Sequence, residues 1–193
     1  ECMGKPPAFV EVKIVNDSGA EVGPEEIGEI IVRREPTGAA GYWNRPEEEA
    51  KKFRGEWIFT GDLGKVDADG YFYVLGRTDD MIISGGENIY PREIEEFLFT
   101  HPKIRNVQII GVPDEKYGEE IQAWIELREG EAATEEDIRA FCKGRIAHYK
   151  IPRYIKFVTE YPMTVTGKIQ KFKMREAAIK ELGLEKAAGI KMA

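Results

Sequence analysis

Three short stretches gather residue types that can do chemistry. Thr60-Gly61-Asp62 closes an aromatic stretch. An Asp at a strand end, beside a Gly that lets a ligand approach, can accept hydrogen bonds from two neighbouring hydroxyls, as in a ribose diol, or can satisfy a turn amide. The second stretch runs from Gly76-Arg77-Thr78-Asp79-Asp80 through Ser84-Gly85-Gly86-Glu87 to Glu95. Arg77 supplies a planar fork of donors suited to diols, phosphates or a surface carboxylate. Gly85-Gly86 offers a backbone surface on which a slender ligand can lie, or serves only as a hairpin turn. The third is Pro162-Met163-Thr164-Val165-Thr166-Gly167-Lys168-Ile169, where Lys168 is a mobile point charge able to reach a phosphate or carboxylate, or a solvated loop lysine. It is not a Walker loop, because the upstream Gly and the following Ser/Thr are missing.

Positioning these residues requires two kinds of structure. Phe9 to Val15, Gly28 to Arg33, Trp57 to Thr60, Leu63 to Val66 and Tyr71 to Leu75 read as strands separated by Asn16-Asp17-Ser18-Gly19 and Asp67-Ala68-Asp69-Gly70 turns. Asn44 is expected to cap a short helix with Pro46 in its first turn. After Arg77 the pattern changes. Met81 to Ile83 and Asn88 to Tyr90 pair as a hairpin, and Pro91 opens a helix with Ile94, Phe97 and Leu98 on one face. Asn106 to Val112, Ile121 to Leu127 and Tyr154 to Val158 read as strands. Thr134 and Asp137 form a capping box for a helix to about Ala147, and Lys171 to Leu182 is a terminal helix. The fold class is α+β. An antiparallel β segment, part of a distorted barrel, is followed by a small domain whose hairpin and three-stranded sheet are packed by helices. The boundary falls near Thr78, giving segments 1–78 and 79–193.

Composition excludes several classes. Apolar residues make up 42% of the 193 residues and charged residues 33%, with a net charge of −7, which favours a folded acidic protein over a nucleic-acid binder. No apolar run spans a bilayer, and the first residues lack the features of a secretory signal, so a cytoplasmic location is expected. Cys2 and Cys142 are too few for a disulfide framework or zinc cluster, and His101 and His148 lack metal-ligand spacing, so no metal site is expected.

Taken in order, the three motifs, together with Gly28-Glu29-Ile30 and Gly41-Tyr42-Trp43-Asn44, resemble the adenylate-forming superfamily of acyl-CoA synthetases, luciferases and adenylation domains. The resemblance covers nearly the whole chain. It implies that segment 1–78 is the end of the large adenylation domain and 79–193 the small lid domain. Asp62 would hold the ribose of ATP or AMP, assisted by Arg77, and Asp79 would be the hinge. Gly86 would lie on the strand that lines the pantetheine tunnel, with Gly85 and Glu87 beside it as cofactor-binding residues, and Lys168 would contact the reacting carboxylate and α-phosphate. Lys143, Lys150 and Arg153 would grip the CoA nucleotide. The implied reaction joins a fatty or medium-chain acid to CoA with ATP through an acyl-adenylate. Rivals are an aryl-CoA ligase, a carrier-loading adenylation domain, a non-catalytic CoA- or protein-binding module, and a structural piece that forms a homodimer through strand edges. The family's phosphate loop, most of its acyl pocket and its Mg²⁺-holding Glu do not occur in this sequence, so the chain is expected to be a fragment that catalyses nothing without an N-terminal adenylation core.

Overall fold

Alternating apolar residues and tight polar turns set the first half of the chain. In the computed structural model, which describes residues 2–37 and 39–189, they form antiparallel strands β1 (Cys2–Gly4), β2 (Val12–Val15), β3 (Gly28–Arg33), β4 (Phe53–Arg54), β5 (Trp57–Val66) and β6 (Phe72–Arg77). Their order is β1-β6-β5-β3-β2, with β4 on β5, and this path is open among the described residues. Short helices α1 (Arg34–Thr37) and α2 (Pro46–Lys52) interrupt it. Ile14, Ile30 and Phe72 form a small core. Asn16 Oδ1 accepts from the Ser18 and Ala20 amides, and Asp67 Oδ1 accepts from those of Asp69 and Tyr71, so both expected turns form by the side-chain capping that favours Asn and Asp there.

Two local expectations need correction. Asn44 does not cap α2: the N-cap is Arg45, without a side-chain cap bond, while Asn44 takes φ +59°. Its short amide side chain tolerates the left-handed region, and the sharp turn ahead of Pro46 uses that tolerance instead. Trp57 to Thr60 and Leu63 to Val66 are one strand, not two. β3 pairs Glu29 with Leu63 but Ile31 with Phe59, so β5 carries extra residues in a bulge at Gly61, whose φ is +78°.

The chain divides into compact units Glu1–Asp79 and Asp80–Ala193. A single 3₁₀ turn, Thr78–Asp80, spans the division. In the second unit β7 (Ile82–Ser84) and β8 (Glu87–Ile89) form the hairpin. Then follow α3 (Pro91–Phe99), β9 (Ile104–Asp114), β10 (Gly118–Leu127), α4 (Glu135–Cys142), β11 (Tyr154–Phe157), α5 (Lys171–Leu182) and α6 (Glu185–Ala188). The sheet has five strands rather than three, because the hairpin joins it through the pair Gly118–Ser84. β9 runs antiparallel to β10 and β11 runs parallel to it.

The period-two pattern buries both faces of this sheet. Ile121, Ala123 and Ile125 pack with Ile94 and Leu98 of α3 and Ile138 and Cys142 of α4. Trp124, Ile110 and Val112 pack on the other face against Met174 and Ala178 of α5. Thr134 and Asp137 form the expected capping box, each side chain bonded to the other's amide. α4 stops at Cys142, short of Ala147, because Lys143 turns extended and Gly144 enters φ +75°. No helix among the described residues is long and apolar enough to cross a membrane.

Candidate functional site

Asp62 and Arg77 are cross-strand partners. β5 and β6 place them in direct register, with Arg77 Nε 3.3 Å from Asp62 Oδ1. Both side chains are at least a third exposed, so the pair is available to a ligand and contributes little to stability. The bulge that aims Asp62 is tied down from three sides. The Gly61 amide donates to Glu29 Oε1 at 2.8 Å, the Thr60 hydroxyl donates to Ile30 O at 2.7 Å, and the Thr78 hydroxyl donates to Gly61 O at 3.2 Å. Lys52 Nζ donates to Thr60 O at 2.7 Å. A Cβ built on Gly61 would lie 2.6 Å from Lys52 Nζ and 3.1 Å from Arg77 Nη2, so two cations stand over this glycine. An acceptor pair beside two cations, at a strand bulge whose glycine is buried beneath them, suits a hydroxylated anionic ligand. The sequence assigns no site role to Lys52 or Glu29, although Glu29 belongs to the Gly28-Glu29-Ile30 stretch. Glu29 has one signal, its place beside Gly28, whereas Lys52 ends a helix, where a lysine is favoured without any ligand.

Asp79, the expected hinge residue, is exposed in the 3₁₀ turn. Gly85 and Gly86 form the two-residue turn of the β7–β8 hairpin, at φ +59° and +88°, the geometry that a tight hairpin demands. A Cβ on Gly86 would meet nothing within 4 Å, whereas one on Gly85 would touch the Tyr117 ring at 3.3 Å. Glu87 is exposed at the start of β8. The hairpin edges a cleft of about 580 Å³, lined in part by Ser84, Gly85, Tyr117, Arg139, Tyr149 and Arg153.

Of the three cations expected to grip a nucleotide, Arg153 lines this cleft. Its Nη1 lies 3.1 Å from both Asp114 Oδ2 and Glu120 Oε1. Burial would raise the Asp114 carboxyl, but the Tyr117 and Lys116 amides and the Arg153 charge outweigh it and hold it below its ordinary value. Lys150 Nζ is engaged by Glu93 at 2.6 Å, and Lys143 is exposed at the end of α4.

Lys168 sits in a tight loop. The Thr164 amide donates to Lys168 O at 2.8 Å, the Lys168 amide donates to Thr164 Oγ1 at 3.1 Å, and the threonine hydroxyls of 164 and 166 are 2.9 Å apart. Gly167, at φ +81°, makes the turn, and the Met163–Ile169 bridge closes it. The side chain is exposed and projects from a constrained backbone. Just beyond, Lys171 Nζ lies 2.8 Å from Glu95 Oε1, which also accepts from the Ile109 amide, so the start of α5 is fixed. Among the described residues no group of three or more His, Cys, Asp and Glu gathers to hold a metal ion.

Residues 93–168 match the family model of the AMP-binding enzyme C-terminal domain. The mitochondrial medium-chain acyl-CoA ligase of Bos taurus is 47% identical over 186 residues, which are 95% of this chain and 30% of that protein. Among solved structures, an anthranilate CoA ligase in complex with anthranoyl-AMP superposes with a TM-score of 0.85 at 41% identity, covering 94% of this chain and 36% of that one. The o-succinylbenzoate CoA synthetase of Bacillus subtilis, bound to its acyl-adenylate intermediate, gives 0.82 at 36% identity, over 90% and 35% of the two chains. The chain thus spans about a third of the length of the proteins it matches.

Proposed function

This chain belongs to the adenylate-forming enzymes with an AMP-binding C-terminal domain, and we propose that, joined to an adenylation core, it serves an acid–thiol ligase making acyl-CoA. In this reading the unit Glu1–Asp79 ends the large domain and Asp80–Ala193 is the lid. The observation that carries the reading is the register pairing of Asp62 with Arg77, an acceptor and a donor fork on adjacent strands at the mouth of a bulge. Asp62 takes the ribose hydroxyls of ATP, and Arg77 holds Asp62 while facing the same ligand.

In the first step a carboxylate oxygen attacks the α-phosphorus, pyrophosphate leaves, and the Lys168 ammonium offsets the charge gathered on the in-line oxygens. In the second the CoA thiol sulfur attacks the acyl carbonyl, its proton passes to solvent, and AMP leaves with the bonding pair. Rotation about Asp79 withdraws Lys168 and brings in the Gly85-Gly86 turn, whose bare backbone admits the pantetheine arm. Lys143, Lys150 and Arg153 meet the CoA nucleotide. Mg²⁺ accompanies ATP on ligands supplied by the core. Cys2 and Cys142, both free thiols, suit a reducing cytoplasm.

The acid is read as a medium-chain or fatty acid. Support comes from the mitochondrial medium-chain ligase above, while the anthranilate ligase makes an aryl acid the alternative. The test joins this chain to such a core and follows the two half-reactions separately with octanoate, palmitate and benzoate. Lys168→Ala should lower adenylate formation by about a hundredfold or more, as loss of a charge-stabilising donor does, and spare acyl transfer from supplied acyl-adenylate. Equal loss of both steps, or thioester formation by the chain alone, would overturn the reading.

A further inference from the structure

The β7–β8 hairpin is joined lightly to its sheet by backbone. β7 meets β10 in one register pair, Gly118 with Ser84, and the Gly85 amide donates to Tyr117 O at 2.9 Å. One residue earlier the pairing passes to a side chain. The Ile83 amide donates to Glu119 Oε2 at 3.0 Å. The other carboxylate oxygen accepts from Arg175 Nη1 on α5 at 2.6 Å, and the same Nη1 donates to Gly111 O on β9 at 2.7 Å. Gly111 makes room for this arrangement. A Cβ there would stand 3.2 Å from the Glu119 carboxyl carbon and 3.1 Å from Ile82. One carboxylate therefore substitutes for a strand carbonyl and, through a single guanidinium, fastens the hairpin to both β9 and α5. The Glu119 side chain is 20% exposed, which shields its contacts from full solvent screening.

We propose that Glu119 and Arg175 are positioning residues that lock the Gly85-Gly86 hairpin to α5, so that the hairpin and the Lys168 loop move as one body. The inference rests on the function proposed above and concerns how its two steps are coupled. α5 begins three residues after Lys168, so any displacement of that loop is felt at the helix start, which Glu95 fixes to α3. The hairpin lies elsewhere in the unit, on a strand with one ladder pair to its neighbour. If it could shift relative to α5, withdrawing Lys168 would not deliver the glycine turn to the place where the thiol must enter. The Glu119–Arg175 pair removes that freedom. Ile82 and Ile89, fully buried, hold the hairpin's inner face, and the pair holds its outer edge.

The test has two arms. In the 193-residue chain, Glu119→Ala should speed hydrogen exchange at the Ile83 amide by about tenfold or more, with Ile121 and Ile125 unchanged. Glu119→Gln keeps an acceptor for Ile83 and should retain most of the protection. In the chain joined to an adenylation core, Glu119→Ala should lower acyl transfer to CoA from supplied acyl-adenylate by about tenfold, the scale of a misplaced positioning group, with adenylate formation within about twofold. Glu119→Gln should recover most of that loss. Arg175→Gln, which leaves the carboxylate in place, reads the same split if Glu119→Ala fails to fold. Unchanged exchange at Ile83 overturns the lock, and equal loss of both half-reactions overturns its positioning role. A joined wild-type protein that forms no adenylate overturns the proposed function instead, and the exchange arm still reports on the lock.

Discussion

Replacing Gly61 by Ala separates backbone strain from the crowding of two cations over the bulge. Gly61 lies at φ +78° and Gly70, in the Asp67 turn, at +82°. An Ala at either position enters the left-handed region at a cost of about 1–2 kcal/mol. At Gly70 the new methyl meets nothing within 4 Å, so that cost stands alone. At Gly61 it arrives 2.6 Å from Lys52 Nζ and 3.1 Å from Arg77 Nη2. Both atoms end flexible side chains, so the overlap is relieved by swinging the cations away rather than by moving backbone. That swing breaks the Lys52 bond to Thr60 O, and a bond of this kind on a part-exposed lysine contributes about 1 kcal/mol. Opening the exposed Asp62–Arg77 pair adds at most a few tenths of a kcal/mol, roughly. Gly61→Ala should therefore cost about 2–3 kcal/mol and Gly70→Ala about 1–2 kcal/mol. The assay is urea-dependent hydrogen exchange of a peptide covering β5, which reports the first unit by itself. In a Lys52→Ala background most of the extra cost at Gly61 should vanish. If Gly61→Ala costs no more than Gly70→Ala, or if its excess survives removal of Lys52, the account of the crowded bulge is wrong.

His101 is buried against Phe141, with ring centroids 4.6 Å apart, and its Nδ1 accepts from the Lys103 amide at 3.2 Å. Burial, helped by the Lys103 charge and opposed by Asp137, holds its pKa below the ordinary 6.5. The unfolded chain thus takes up the proton first, so this contribution to stability is full above about pH 6.5 and declines as pH falls through the lower folded value. Thermal unfolding from about pH 7.5 to 5.5 should fall more steeply for the wild type than for His101→Asn, and parallel curves would refute the assignment. Burial likewise pushes the Cys142 thiol up to about 11, while Cys2 is exposed. A thiol reagent should titrate Cys2 in the native chain and reach Cys142 only as the second unit opens; rapid native reaction of both would contradict the packing of α4.

Local chemistry made much of this structure legible. Asp67, Asn16 and the Thr134–Asp137 box could be read because each closes a ring of a few residues whose geometry the side chain itself dictates. The inward faces of β9 and β10 were legible through their β-branched runs. Gly61 reads as a place where a ligand can approach, but not as the bulge that fuses two strands, because a bulge is defined by the partner strand's register and leaves only a glycine in its own sequence. The Glu119–Arg175 contact is not legible for a related reason. The two are separated by 56 residues, and Glu119 bonds a backbone amide that no residue type advertises. Contacts of that kind follow from topology, which periodicity constrains only loosely.

The same distinction governs the cations expected to grip a nucleotide, since residue type announces charge but not commitment. Lys150 is held by Glu93, whose side chain is 51% exposed and can return to water, so a phosphate can take the ammonium at little cost. Arg153 is different. Asp114 and Glu120 are only 13% and 17% exposed, and stripping the guanidinium from them would leave two poorly solvated carboxylates side by side. Both bonds, however, use Nη1 alone. The planar fork keeps Nε and Nη2 for a second acceptor, so a phosphate oxygen can be met without breaking either carboxylate contact. In the proposed reading Arg153 would meet an anionic guest while both carboxylates stay paired, and Lys150 would be the lysine that changes partner.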